Sequence, residues 1–491
     1  MKNLSSAPRR SPYRPLFLAA VCGLLLGAAT STGPLGCSSN QIGGSGTEDM
    51  VFGSTGGDGG SGGGGGDGGG QSGYCAGKGP PIVVGDSGSA ARCSGQVAAS
   101  AFRYAMCLCQ GLSASSPITV DAFDSTMPGQ TTFGNGGSVG VNSNVNAGDL
   151  SVGGTLQVAG ALTINNRVSA GVDLLLADTL SANVGATVGR NAQINGDVKC
   201  NGAAGSLKIT GNLTYPSTRT LTATSPIIGS TTRNNVSVAA PCDCAANSIF
   251  NIAGYVTERA TSNDNAAIGL DAGQLTNFSG DQTLNLTCGR FYLSRIGGAG
   301  KLTLNVSGRT ALFIGGDVNL TNDFTVNLGA SGELDLFING GLTSSAPLVF
   351  GNKDAPARVR LYMGGSRNIN LAAGSTIYGN IYAPESALVT SGALTVYGAI
   401  FVRSFNPSSS VTIHHDVAIL RAADDCTNPG TGGGGTVDMS GGTGGGTSTC
   451  SRCQDCGGQA CKAGSCGACT TGADCCSPLS CKLGKCVFEV G

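Results

Sequence analysis

Residues 150–200 read LSVGGTLQVAGALTINNRVSAGVDLLLADTLSANVGATVGRNAQINGDVKC. Divided into sixes from Leu150, the first position holds Leu150, Leu156, Leu162, Val168, Leu174, Leu180, Ala186, Ala192 and Val198. The third holds Val152, Val158, Ile164, Ala170, Leu176, Ala182, Val188, Ile194 and Cys200. All are apolar or small, and the other positions carry most of the Gly, Asn, Asp, Thr and Arg. Residues i and i+2 of a strand point to one face, so each six is a three-residue strand with two inward side chains, followed by a three-residue bend. Gly and Asn serve the bends because they tolerate positive φ. A helix would need a period near 3.6 and is weakened by Gly at this density. The stretch is therefore a parallel β-helix (solenoid), with three sides to a coil and about three coils, since one coil alone cannot bury a core.

A longer beat continues toward the C terminus. TALFIGGDVNL, LDLFINGGL and VRLYMGGSRNINL align Leu312, Leu336 and Leu361, 24 and 25 residues apart. TIYGNIYA (376–383), TVYGAIFV (395–402) and TIHHDVAI (412–419) align at spacings of 19 and 17. Each set reads as one strand repeated on successive coils. The solenoid is expected to resume here after the hexads, with loops on one side.

The 491 residues include 83 Gly and no Trp, and only 12% are charged, a Gly-rich and β-leaning composition. A formal net charge of -1 provides no basic field, so nucleic-acid binding is not expected. Of 21 cysteines, ten lie between Cys450 and Cys486, which suits an oxidising compartment.

Lys2, Arg9, Arg10 and Arg14 precede the apolar stretch LFLAAVCGLLLGAA (16–29), of signal-peptide length and short for a membrane span. GPLGCSSN follows. Its Gly36-Cys37 and the serines after it resemble a bacterial lipoprotein signal, with Pro34 and Leu35 departing from the usual residues. The resemblance implies a lipidated Cys37 as mature N terminus. With Ser38 next rather than Asp, it also implies the outer membrane or cell surface of a Gram-negative bacterium. The alternative is ordinary cleavage near Ala28–Ala29 and a secreted product. Several acyl chains would give a stable anchor.

Composition then sets the boundaries: signal peptide 1–37, Gly-rich tether 38–73, a small Cys-containing helical module 74–130, β-solenoid 131–427, Gly-rich linker 428–449 and a disulfide-rich module 450–491. In the helical module, CSGQVAASAFRYAMCLC (93–109) places Val97, Ala101, Tyr104 and Ala105 at helical spacing. Cys75, Cys93, Cys107 and Cys109 are expected to form two disulfides, in any of the pairings four cysteines allow. Cys200, Cys242, Cys244 and Cys288 are expected to pin the solenoid by disulfides, with metal binding by Cys242-x-Cys244 as the alternative. With Cys22 removed and Cys37 lipidated, the count including Cys426 is odd, so one thiol is free or pairs between chains.

In the tail, Cys450, Cys453, Cys456, Cys461, Cys466, Cys469, Cys475, Cys476, Cys481 and Cys486 stand among Gly, Ser and Lys, too polar for a core, so cross-links must hold it. Disulfides are expected rather than zinc, because the tail has no His. CTTGADCCSPLSCKLGKC resembles small disulfide-knot modules of secreted peptides, which implies a binding knob.

Solenoid enzymes use paired carboxylates, or a base beside a metal, on one face. The only histidines are His414 and His415, beside Asp416. Alternation along a strand would let His414 and Asp416 share a face, as a base with its orienting group or part of a metal site. The competing expectation is a strand end that stops the stack with polar side chains. No cofactor or metal is expected.

STIYGNIYAPESALVTSGALTVYGAIFVRSFNPSSSVTIHHDVAIL (375–420) resembles the C-terminal β-solenoid module of bacterial exported proteins of pilus-type or surface assemblies. Tyr378-Gly379, Ala383-Pro384, Tyr397-Gly398-Ala399, Ser404 and His414/His415-Asp416 carry the likeness, with His415 where Tyr is usual. The hexads are similar in period to bactofilins, polymerising β-solenoid proteins. These likenesses imply scaffold or surface roles and no activity.

The expectation is a non-catalytic, lipid-anchored surface protein, structural or adhesive. Its partners would be the membrane, through the anchor, and surface polysaccharide or other surface proteins. The alternatives are a carbohydrate-active β-helix enzyme and a binding or inhibitor module in the tail.

Overall fold

The hexads fold into coils of three sides. In the computed structural model, which describes residues 91–127 and 136–425 together with Cys75, Pro81–Val83 and four short strands between 460 and 488, Leu162 pairs in parallel register with Leu180, Val168 with Ala186 and Leu174 with Ala192. The inward pairs Leu156/Val158, Leu162/Ile164 and Leu174/Leu176 are fully buried, while the middle residue of most such strands is outside. The longer coils keep the expected alignments: Leu312 pairs with Leu336 and Leu336 with Leu361. Thr376 likewise pairs with Thr395, and Thr395 with Thr412. The chain is mainly β, a parallel solenoid of about 13 turns.

The order of the coils differs from the expected continuation. One stack runs from Met106–Leu108 to Ile227–Arg233, the other from Gln282–Leu286 to Val411–Asp416. The second stack does not continue from the end of the first. It adds to the first stack's beginning: Met106–Leu108 pairs in parallel with Ile400–Val402, and Ile118–Phe123 with Val411–Asp416. The physical cause is a matched edge. The first coil offers unpaired backbone groups and the apolar inward residues Met106, Leu108, Leu112, Ile118 and Val120, and the last coil presents the same rhythm. A single apolar cluster runs through both stacks.

Residues 234–281 must therefore return from the far end of the first stack to the far end of the second, and they form a strap over one side of both. Beneath the strap, outward positions form one register row: Tyr292, Phe313, Phe337, Tyr362, Tyr382, Phe401, Cys107, Gly140 and Gln157. Each rung meets a cover, mostly from the strap. Gln157 donates to the Ala239 carbonyl at 2.9 Å. Phe250 stacks on Tyr382 with centroids 4.2 Å apart. Helix α2 (Ile252–Arg259), capped by the Asn251 side chain, lays Tyr255 edge-on against Phe313 and Phe337 at 5.0 and 5.3 Å. Asn265 exchanges two hydrogen bonds with the Tyr292 backbone. At the seam, helix α1 (Ser94–Ala101) and Phe102 join Phe401 and Ile419 in this second apolar cluster.

The helix expected over 93–109 is thus confined to α1. Met106 and Leu108 fill inward positions of a strand paired on both edges, and this outweighs local helical spacing. The helical module expected over 74–130 is not separate, because 106–123 are the first coil.

The strap's end buries Leu270, Leu275 and Phe278 beneath the second stack. At the far end of the first stack, Thr231 and Arg233 take positions above Leu213 and Tyr215, so the last layer turns polar. No helix of the described residues is long and apolar enough to cross a membrane. The tail contributes two antiparallel hairpins, with Cys461 opposite Cys466 and Cys481 opposite Cys486. Cys37, both Gly-rich segments, Cys426, Cys450, Cys453, Cys456, Cys469, Cys475 and Cys476 lie outside the described residues.

Candidate functional site

The strand Val411–Asp416 does not stop the stack; it lies between Leu394–Tyr397 and Ile118–Phe123. Nor does it bring His414 and Asp416 together. His414 Nδ1 donates to Asp121 Oδ1 at 2.6 Å, on the neighbouring coil. Its ring lies against that of Tyr397, tilted by 38° with centroids 4.7 Å apart. Asp416 is buried and accepts hydrogen bonds from the Ser125 N–H and hydroxyl, at 3.0 and 2.7 Å, and from the Ala418 N–H at 3.1 Å. Burial still raises its pKa. His415 is fully buried, with Nε2 3.0 Å from the Phe102 carbonyl. A carbonyl only accepts, so Nε2 carries the proton and Nδ1 is bare, with no partner among the described residues. Burial pushes this histidine's pKa down to about 4. The histidine–carboxylate contact on this strand is therefore His414–Asp121.

The cysteines pair at long range. Cys107 bonds Cys242, Cys109 bonds Cys244 and Cys75 bonds Cys288. The expected pairing within the group Cys75, Cys93, Cys107 and Cys109 is therefore overturned. Two rungs of the first coil clip the strap, and the segment before α1 is tied to the outermost coil of the second stack. The Cys242-x-Cys244 pair is committed to disulfides rather than metal. Cys200 was expected in a disulfide but is a buried free thiol near the Ser206 hydroxyl, at 3.3 Å. It is an inward rung, below Ala223 and above Ala182, with no cysteine in register. Cys93 ends the strand Ala91–Cys93.

A buried ionic group lies under the strap, which the sequence reading did not single out. Arg360 makes a bidentate contact with Asp335, at 2.6 and 3.1 Å, and also reaches Glu333. Arg309 holds the other Glu333 oxygen at 2.7 Å. Burial opposes the charge on Arg360, but Asp335 and Glu333 outweigh it and keep the guanidinium charged. These residues occupy outward positions beside Phe337 and Tyr362. The usable signal was apolar side chains at outward positions of successive coils, which require a cover.

A second side carries no strap among the described residues. Its central outward positions form a rail of thirteen rungs: Thr283, Thr303, Thr325, Val349, Thr376, Thr395, Thr412, Thr119, Ser151, Ser169, Thr187, Lys208 and Ile227. Two residues along each strand, a second row holds Asn285, Asn305 and Asn327, joined by side-chain amide hydrogen bonds of 2.8 and 3.0 Å. Further up, it holds Tyr378, Tyr397, His414 and Asp121. All the rungs are half-buried or exposed. Neighbouring rungs are one interstrand step apart, about 4.8 Å. Lys353 reaches the Tyr397 ring from a flanking loop, 5.7 Å from its centroid.

Residues 232–422 match the model of a family described as a domain of unknown function (DUF7305), less than half of the chain. The matched span is the strap and the second stack, without the hexad coils. No curated protein and no solved structure matches the chain.

Proposed function

We propose that the chain is a non-catalytic, surface-displayed protein with a structural or adhesive role, exported and lipid-anchored at Cys37. The observation that carries this reading is the open rail, a repeated array of short hydroxyl side chains on a rigid stack. Such an array supports many weak, equivalent contacts along a partner and gains strength by avidity. Long-range disulfides accord with an oxidising, extracellular setting. The Cys75–Cys288 bond fixes Cys75 to the outermost coil of the second stack. The test is retention of the purified protein on intact bacterial surfaces. Loss of all binding after washing at moderate salt would remove the adhesive reading.

The His414–Asp121 pair is the observation that favours a second reading, a carbohydrate-active solenoid enzyme. Turnover on a polysaccharide panel, abolished by His414→Ala, would establish it in place of the first.

A further inference from the structure

We infer that the rail is a binding track for an uncharged, extended polysaccharide lying along the stack. The inference rests on the adhesive reading and names its ligand. Three observations on the same side point to this occupant.

The first is chemical identity. Ten of the thirteen rungs are Thr or Ser, and the apolar Val349 and Ile227 are the exceptions besides Lys208. Among the described residues, the hydroxyls of Thr303, Thr325, Thr376, Thr395 and Thr412 make no hydrogen bond to protein. Each can donate and accept, as sugar hydroxyls do, directly or through water.

The second is charge. On the rail, the one charged side chain is Lys208, on the rung before the last, and Lys353 stands beside the second row, over the Tyr397 ring. In the second row, His414 and Asp121 engage each other. The track therefore offers neither the row of cations a polyuronate needs nor the row of carboxylates a polycation needs, and it complements a neutral polymer.

The third is continuity. The row runs unbroken across the seam from Thr412 to Thr119, so both stacks contribute to one line. Where it passes Tyr378, Tyr397 and His414, the rings lean on one another at 4.9 and 4.7 Å, and Lys353 lies over Tyr397. That segment meets a ligand through ring edges and polar tips, a hydrogen-bonding register point rather than a stacking platform.

The experiment uses the full chain with its disulfides intact, and soluble β-glucan, α-mannan and polygalacturonate as probes in affinity electrophoresis. At least one neutral polymer is expected to retard the protein while polygalacturonate does not. The double variant Thr325→Lys/Thr395→Lys is expected to weaken that retardation by about tenfold or more. Thr163→Lys/Thr343→Lys, which places the same charges on outward rungs of the third side, should stay within about twofold of the parent. Equal binding by the rail variant overturns the inference, as does preference for polygalacturonate. A parent that self-associates, and loses this with the rail variant, also overturns it, because the rail would then be a contact between copies. Binding to bacterial surfaces without binding to any neutral polymer sinks the inference and leaves the adhesive reading standing. Binding to neither removes both.

Discussion

His414 and Asp121 are 2.6 Å apart across 293 residues of sequence. They mark the seam where the last strand of the second stack lies parallel to the outer strand of the first coil. If that seam is an ordinary internal rung, Ile413, which is fully buried there, should behave as core. Ile413→Ala should cost about 2–5 kcal/mol in denaturant unfolding. Ile227→Ala, on the terminal strand where Ile227 is 56% exposed, should stay within about 0.5 kcal/mol of the parent. Equal effects would mean that the two stacks do not share a core.

The two clips on the strap should be strongly non-additive. Cys107–Cys242 and Cys109–Cys244 each close a loop of 135 residues, but with one intact the other closes only a few residues. Loop entropy then assigns about 2 kcal/mol to removing either bridge and about 7 kcal/mol to removing both. Paired alanine variants, followed by thermal unfolding, measure the difference. Simple additivity would show that the strap is held mainly by its aromatic contacts.

The hexads were legible because inward pairs repeat every six residues, and a strand's two faces are decided by neighbours two apart. The longer coils were legible from Leu312, Leu336 and Leu361, which occupy one rung position. The order of the stacks was not. Thr119 and Thr412 are both outward residues of similar strands, and repeated rungs are interchangeable, so no local signal says which edge meets which. The strap was hidden for the same reason. Its partners are dispersed over 300 residues, and the pairing Cys107–Cys242 follows only once the returning path is known. His414 stands out in the sequence, but the carboxylate it meets is on the adjacent coil, at Asp121, and not next door at Asp416, and nothing local identifies that coil.

His415 gives the fold a pH dependence of known sign. Its folded pKa of about 4 lies below the ordinary 6.5, so the unfolded chain binds more protons between these values. Stability contributed by the neutral ring is complete above pH 6.5 and is lost as pH falls toward 4, amounting to about 3 kcal/mol. Asp416 works in the opposite direction, since burial raises its pKa and its charging disfavours the fold as pH rises. The comparison of parent with His415→Asn isolates the histidine. The variant's stability relative to the parent should improve on going from pH 7 to pH 4. An unchanged difference would mean that the ring is hydrated in solution.

Gly140 tests the strap's position independently of the disulfides. Its outward slot lies between Cys107 and Gln157 in the row beneath the strap. A Cβ there would stand 2.9 Å from Pro241 Cβ and 3.3 Å from Cys242 Sγ. Neither neighbour can swing away, because one is a ring and the other is bonded to Cys107. Gly140→Ala should therefore cost about 1–3 kcal/mol through overpacking, although a strand otherwise favours Ala over Gly by up to about 1 kcal/mol. The sign is the readout. A stabilised Gly140→Ala protein in thermal unfolding would mean that residues 239–242 do not cross that rung in solution, and the returning path along this side would have to be redrawn.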